Sequence, residues 1–383
     1  MALNFPREAM IAVFGAVAAF GVFGGLSGLG RTGPSDPYEA IPKASFIAAT
    51  VDFAELRRSP LFEVAFGKEG SAADPMRRAL GVGALAEACG FDPVTRVQKI
   101  AVSVPEEGER GEFGVVARVE VTRDELERCT KSLADKRGGK AETRDVGSFV
   151  VLEDKSIGGA AAPRLAYGRG GLLVVGKGTW FDAMLGAAEH TKPGLRDAPE
   201  HVALRTSLTS KEGFRTPTVL VTAILPRALR ERLKGDMASE AGGPDLSTAA
   251  MAGVLGVSAV GVALTTAGAN VQASVELVCD TPDACVAVRK LVEKKRTEWS
   301  GDLALRMIGF GPLLDSFEVK LEGARLRATV SAQGEVLAAT LDRVLKLRAR
   351  QGAAAAPPFP RRPPPPKPAD ETIPARGDAG AGR

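Results

Sequence analysis

The chain has 383 residues, 45% of them hydrophobic and 5% aromatic, with 50 Lys and Arg against 46 Asp and Glu and a net charge of +4. So even a balance supplies no basic face for a phosphate backbone, and so few aromatics offer little to stack on bases, which excludes nucleic acid as a partner. Four cysteines are too few to hold a chain of this length through disulfides, so its core comes from apolar burial.

Residues 1–8 form a short N-terminal tail. From Ala9 to Gly30 the only polar side chain in 22 residues is Ser27. As a helix the run is about 33 Å long, enough for a hydrocarbon core of about 30 Å. It reads as a retained membrane anchor. The rivals are a cleaved secretory signal, with Ala16-Val17-Ala18 or the Gly/Ser stretch after Leu26 as the small-residue cut site, which would release the body to the periplasm, and a buried soluble helix. Basic residues divide almost evenly, with Arg7 beside Glu8 before the run and Arg31 and Lys43 after it. Orientation therefore rests on the long polar domain behind a short tail, which places the body outside the cytoplasm of a bacterial-type cell.

Residues 31–43, with Pro34, Pro37 and Pro42, read as an extended linker. The body follows, with strands and helices in an order that occurs twice, over residues 44–198 and 199–350. In the first half, Ser45 to Val51 is a buried strand, Phe53 starts a helix, and Asp74 to Cys89 is a second helix. Val97 to Val104 and Phe113 to Val121 form an antiparallel pair. Thr122, with Glu125 three residues on, caps the next helix. Ser148 to Leu152, Arg164 to Tyr167 and Leu172 to Val175 are strands, and Thr179 to His190 a helix.

The second half repeats this with a strand at Thr218 to Leu225, helices at Arg227 to Met237 and Leu246 to Leu255, and a hairpin of Val257 to Leu264 with Val271 to Val278. A helix from Asp283 to Trp299, a hairpin of Phe317 to Leu321 with Arg325 to Val330, and a helix from Glu335 to Leu347 complete it. Ala117 to Cys129 aligns without a gap over Ala273 to Cys285, at one strand-to-helix junction in each half. Ala249 to Leu264 is apolar apart from Ser258, but in the repeated frame it divides into a helix end and a buried strand rather than a second span.

Cys279 and Cys285 flank a strand-to-helix turn that can bring two Cα atoms within disulfide range. Metal binding is the rival, yet the pair lacks C-x-x-C spacing and only His190 and His201 could join it. Cys89 and Cys129 are a second candidate pair if their helices are neighbours. Both histidines read as solvated residues at helix ends. Gly171 to Gly178 mimics a phosphate loop, but its interior is strand-forming and Gly178 stands where Ser or Thr would hold magnesium. No catalytic, cofactor-binding or metal-ligating residue stands out.

Residues 351–383, rich in Ala, Pro and Gly, read as a disordered tail. Within it Phe359 to Pro368 favours polyproline II and offers Arg361, Arg362 and Lys367 to an aromatic groove of a protein or to an anionic envelope polymer.

The expected fold class is therefore α+β: an N-terminal transmembrane helix, a duplicated strand and helix body with mainly antiparallel sheets carrying helices on one face, and the Pro-rich tail. The expected function is that of a membrane-anchored extracytoplasmic binding or scaffolding protein, with a carboxylate-based envelope hydrolase working between the halves as the alternative. The oligomeric state is left open.

Overall fold

A computed structural model describes residues 36–67, 82–106, 112–136, 138–154, 163–209, 216–232 and 248–355. The apolar run 9–30 and the basic proline stretch lie outside them. Among the described residues no helix is long and apolar enough to cross a membrane. The apolar stretch after Ala249 is the rest of helix Thr248–Leu255 followed by strand Val257–Ala267.

The first seven strands are β1 (Ser45–Asp52), β2 (Val97–Pro105), β3 (Gly114–Val119), β4 (Ala141–Val146), β5 (Phe149–Asp154), β6 (Pro163–Gly168) and β7 (Leu172–Lys177). The other five are β8 (Val219–Ile224), β9 (Val257–Ala267), β10 (Asn270–Cys279), β11 (Glu318–Glu322) and β12 (Arg325–Gln333). All join one sheet in the order β11-β12-β10-β9-β8-β1-β2-β3-β7-β6-β5-β4, and every pairing is antiparallel. The plural sheets of the sequence reading are thus corrected to one. β1 and β8 are apolar strands with unpaired edges, and each satisfies its backbone on the other, Ile47 opposite Ala223 and Val51 opposite Val219.

Outward from that central pair the two sides run alike. The third strand, β3 or β10, leads into a helix, α3 (Arg123–Lys136) or α7 (Pro282–Ser300), and a later strand, β7 or β12, returns beside it. Thr122 and Glu125 cap α3 reciprocally at 3.0 and 3.3 Å, and Thr281 caps α7 by accepting from Ala284 N–H at 3.2 Å. Counted from these caps, the fourth residue (Leu126, Cys285) and the seventh (Cys129, Val288) are buried in both helices. The ungapped alignment of Cys129 on Cys285 is therefore three residues out of step once the helix begins.

Helices cover both faces of the sheet, not one. The Leu172 to Val175 and Val115 to Ala117 runs are buried on alternate sides, as strands covered twice must be. On one face α3 packs Leu126 against Ile100, Val115 and Val119, α7 packs Cys285 and Val288 near Val257 and Leu326, and α8 (Gly334–Ala355) brings Ala338 to Leu61 of α1 (Pro60–Phe66). The other face carries α4 (Gly178–Ala188) and α5 (Pro199–Thr209).

A cross-strand row of small residues, Gly176, Gly114, Ser103, Ala48, Thr222 and Gly261, lets α4 and α5 lie close. A Cβ on Gly114 would stand 2.0 Å from Met184 Sδ, and one on Gly261 2.7 Å from Leu208 Cδ1.

Two local expectations change. Residues 37–41, placed in the linker, start the body: Pro37–Ala40 is a 3-10 turn capped by Asp36, and Tyr38, Ala40 and Ile41 are buried under α4. Strand β4 was not anticipated. Its sequence AETRDV has no apolar alternation and holds by pairing with β5, where Arg144 meets Glu153 at 2.8 Å.

Candidate functional site

The structure joins the cysteines in two pairs. Cys89, closing α2 (Val82–Cys89), bonds Cys129 of α3 with Cα atoms 4.3 Å apart, and Cys279 at the end of β10 bonds Cys285 in the first turn of α7 with Cα atoms 5.6 Å apart. The turn between the second pair is held from outside, because Arg230 reaches Asp280 at 2.5 Å and the carbonyl of Leu255 at 2.7 Å. No described cysteine is free, so these sulfurs serve neither as nucleophiles nor as metal ligands in this state. No His, Cys, Asp and Glu cluster able to hold a metal occurs among the described residues. Arg361, Arg362 and Lys367 lie outside them.

His201 is not the solvated helix-end residue that its position suggested. It is 2% exposed, with Nε2 2.9 Å from the carbonyl of Ser45 and Nδ1 2.7 Å from Thr222 Oγ1. Since the carbonyl only accepts, the ring proton is assigned to Nε2, and Nδ1 accepts from the threonine. Burial pushes its pKa down and keeps it neutral, more than the Ser45 bond restores. His190 is exposed just after α4 at φ 58°, where Arg196 donates to its Nδ1 at 2.8 Å.

The most enclosed carboxylate among the described residues, Glu276, faces α5 from β10. It accepts from Arg325 Nη1 at 2.8 Å and Ser207 Oγ at 2.7 Å, and also from Arg327. Burial alone would raise its pKa, but the hydrogen bonds from Arg327 and Ser207 and the guanidinium charge outweigh it and hold the carboxyl below its ordinary range. A group kept ionised in this way is not a proton donor at neutral pH. Near the start of the body Asp36 pairs with Lys99 at 2.7 Å, and Arg205 stacks over Tyr38 with its guanidinium carbon 4.1 Å from the ring centroid.

A recess of about 470 Å³ opens where β9 ends and β10 begins. Thr265, Gln272 and Ser331 face one another across three strands, Asn270 lies opposite Gln333, and Val271 and Ala332 complete the lining. Asn270, Ser331 and Gln333 are themselves exposed, so this is an open depression at the sheet end and not an enclosed cavity. Its amides and hydroxyls donate and accept without charge, which suits a neutral hydroxyl-rich or amide-rich ligand. In the sequence these residues read as ordinary strand ends; only the cross-strand register gathers them.

No protein-family model matches the chain, and no curated protein matches it. Solved structures of TP0453 in crystal forms I and III are similar at 12% identity, with TM-scores of 0.41 and 0.40, over 82% and 81% of this chain and 98% of those chains. Crystal form IV gives 11% identity and a TM-score of 0.41, over 80% of this chain and 96% of that one. At this degree of likeness neither fold nor function passes from TP0453 to this chain.

Proposed function

We propose that the chain is a membrane-anchored, extracytoplasmic binding or scaffolding protein of a bacterial-type envelope, with a body made of two related α+β halves. The observation that carries this reading is the pairing of every described cysteine into two disulfides, which persist in oxidising compartments and are rare in reducing ones. The apolar run at residues 9–30 supplies the membrane attachment in this reading. The like order of strands and helices on either side of β1 and β8 supports the two-half organisation. The uncharged recess at Asn270, Gln272 and Gln333 is the proposed contact for a neutral partner, an envelope polymer or a protein segment. The basic proline stretch at Arg361, Arg362 and Lys367 is a second, anion-directed contact.

The test has two parts. A reporter active only outside the cytoplasm, fused after Arg383, is expected to work; activity of a cytoplasm-only reporter at that point refutes the placement. Crosslinking in intact membranes is expected to capture a partner with the native chain and to lose it with Gln272→Ala/Gln333→Ala. Equal capture by both refutes the recess as the contact.

A further inference from the structure

The last turn of α7 and the segment from there to β11 form the most apolar exposed surface of the described body. Trp299, Leu303 and Met307 recur every fourth residue and are 52%, 71% and 75% exposed. The helical turn Leu303–Leu305 and the π-helical turn Arg306–Phe310 that carry the last two bury no residue. The helix ends at Ser300 and Asp302 is extended, so these side chains stand on successive short turns and leave three large apolar groups in water. The segment carries an excess of cations: from Arg289 to Asp315 six Lys and Arg stand against four Asp and Glu, with Arg289, Lys295 and Arg306 paired to Glu293, Glu298 and Asp315.

Topology places this surface at the same end of the sheet as the N-terminal entry to the body, on the opposite face and several strands away. Val51 near the end of β1 pairs Val219 at the start of β8, Val219 pairs Leu264 late in β9, and Asn270 starting β10 pairs Gln333 ending β12. These residues share one end of the sheet. β11 starts there, with Glu318 opposite Thr329, and α7 reaches it after leaving Cys279 at the far end. Asp36 is at the same end, because its partner Lys99 lies opposite Asp52. Only residues 31–35 separate Asp36 from the apolar run, a reach of at most about 20 Å.

We propose that Trp299, Leu303 and Met307 are a second membrane contact, seating on an anionic lipid surface the end of the sheet at which the anchor enters. Trp at the rim of an apolar face, with cations around it, matches the chemistry of a lipid interface, where the indole lies at headgroup depth and Lys and Arg meet anionic headgroups. The geometry rests on the anchored reading; the test does not.

The full chain is reconstituted into vesicles containing phosphatidylglycerol with brominated acyl chains. Tryptophan emission is compared between the native chain and Trp299→Phe, the difference being the signal of Trp299, since Trp180 on α4 is buried. That signal is expected to be quenched, less so without anionic lipid, and to escape quenching in Leu303→Asp/Met307→Asp. Carbonate extraction decides the anchor separately. A chain that resists extraction but keeps Trp299 unquenched overturns the second contact and leaves the anchor standing. A chain released by carbonate overturns the anchor, and its quenching when added to fresh vesicles still decides the contact. Concentration-dependent shielding of Trp299 in the absence of lipid would make a second copy the occupant and overturn the proposal.

Discussion

Replacing Glu276 by Gln tests whether the buried ion network beneath α5 holds the second half together. Two guanidinium groups and the Ser207 hydroxyl converge on this carboxylate, and removing one side of such a buried pair costs about 3–5 kcal/mol because the remaining charge is stranded. Arg325 is 46% exposed and can turn to water, whereas Arg327 is 20% exposed and cannot do so freely. Only the Arg327 share is therefore retained, and the expected loss is at the lower end, about 3 kcal/mol, or a fall in melting temperature of about 6 °C.

The pH dependence has a definite sign. The folded carboxyl lies below its ordinary value of 4.5, so on acidification the unfolded chain takes the proton first. The contribution is complete above that value and disappears as pH falls through the folded value, so native and Glu276→Gln stability curves should converge in acid. Thermal unfolding from neutral pH to pH 3, together with Arg327→Met and the double variant, is the assay. Additivity of the two single losses, or a gap between the curves that persists in acid, would refute the network.

Three further outcomes are expected. By chain entropy, Cys89→Ala/Cys129→Ala opens a separation of 40 residues and loses about 4 kcal/mol, against about 2 kcal/mol for the separation of 6 at Cys279 and Cys285; urea midpoints should rank in that order. Gly171→Ala combines φ +76° with a Cβ 2.3 Å from the carbonyl of Val119, whereas Gly268→Ala at φ +61° meets open space and bears only conformational strain of about 1–2 kcal/mol, so calorimetry should find the first much more damaging. Because burial depresses the His201 pKa, the unfolded chain protonates first below 6.5, and native stability should decline from there downward; His201→Gln should flatten that part of the curve.

Features stated by short stretches of chain were legible without coordinates. Apolar strands with turn residues between them placed eleven of the twelve strands of the sheet at about their observed positions, because alternation and turn chemistry act over a few residues. The cap at Thr122 was equally local, the carboxylate and hydroxyl that make it being three residues apart. β4 escaped because its charged residues have no such pattern, and only the ladder with β5 makes it a strand.

What tertiary structure decided are the meetings of residues far apart in the chain. His201 is buried because α5 lays it over Ser45 and Thr222, a contact across 156 residues that nothing near position 201 announces. Glu276, Arg327 and Ser207 form one network only because β10 pairs with β12 while α5 crosses the same face. The recess depends on register, since a slip of one residue would turn Gln272 to the opposite face. The local elements, the apolar run at residues 9–30 and the spacing of the cysteines follow from short stretches of residues. The joining of β1 to β8 and the covering of both faces arose only when strand edges and apolar faces had to be satisfied together, which no local stretch encodes.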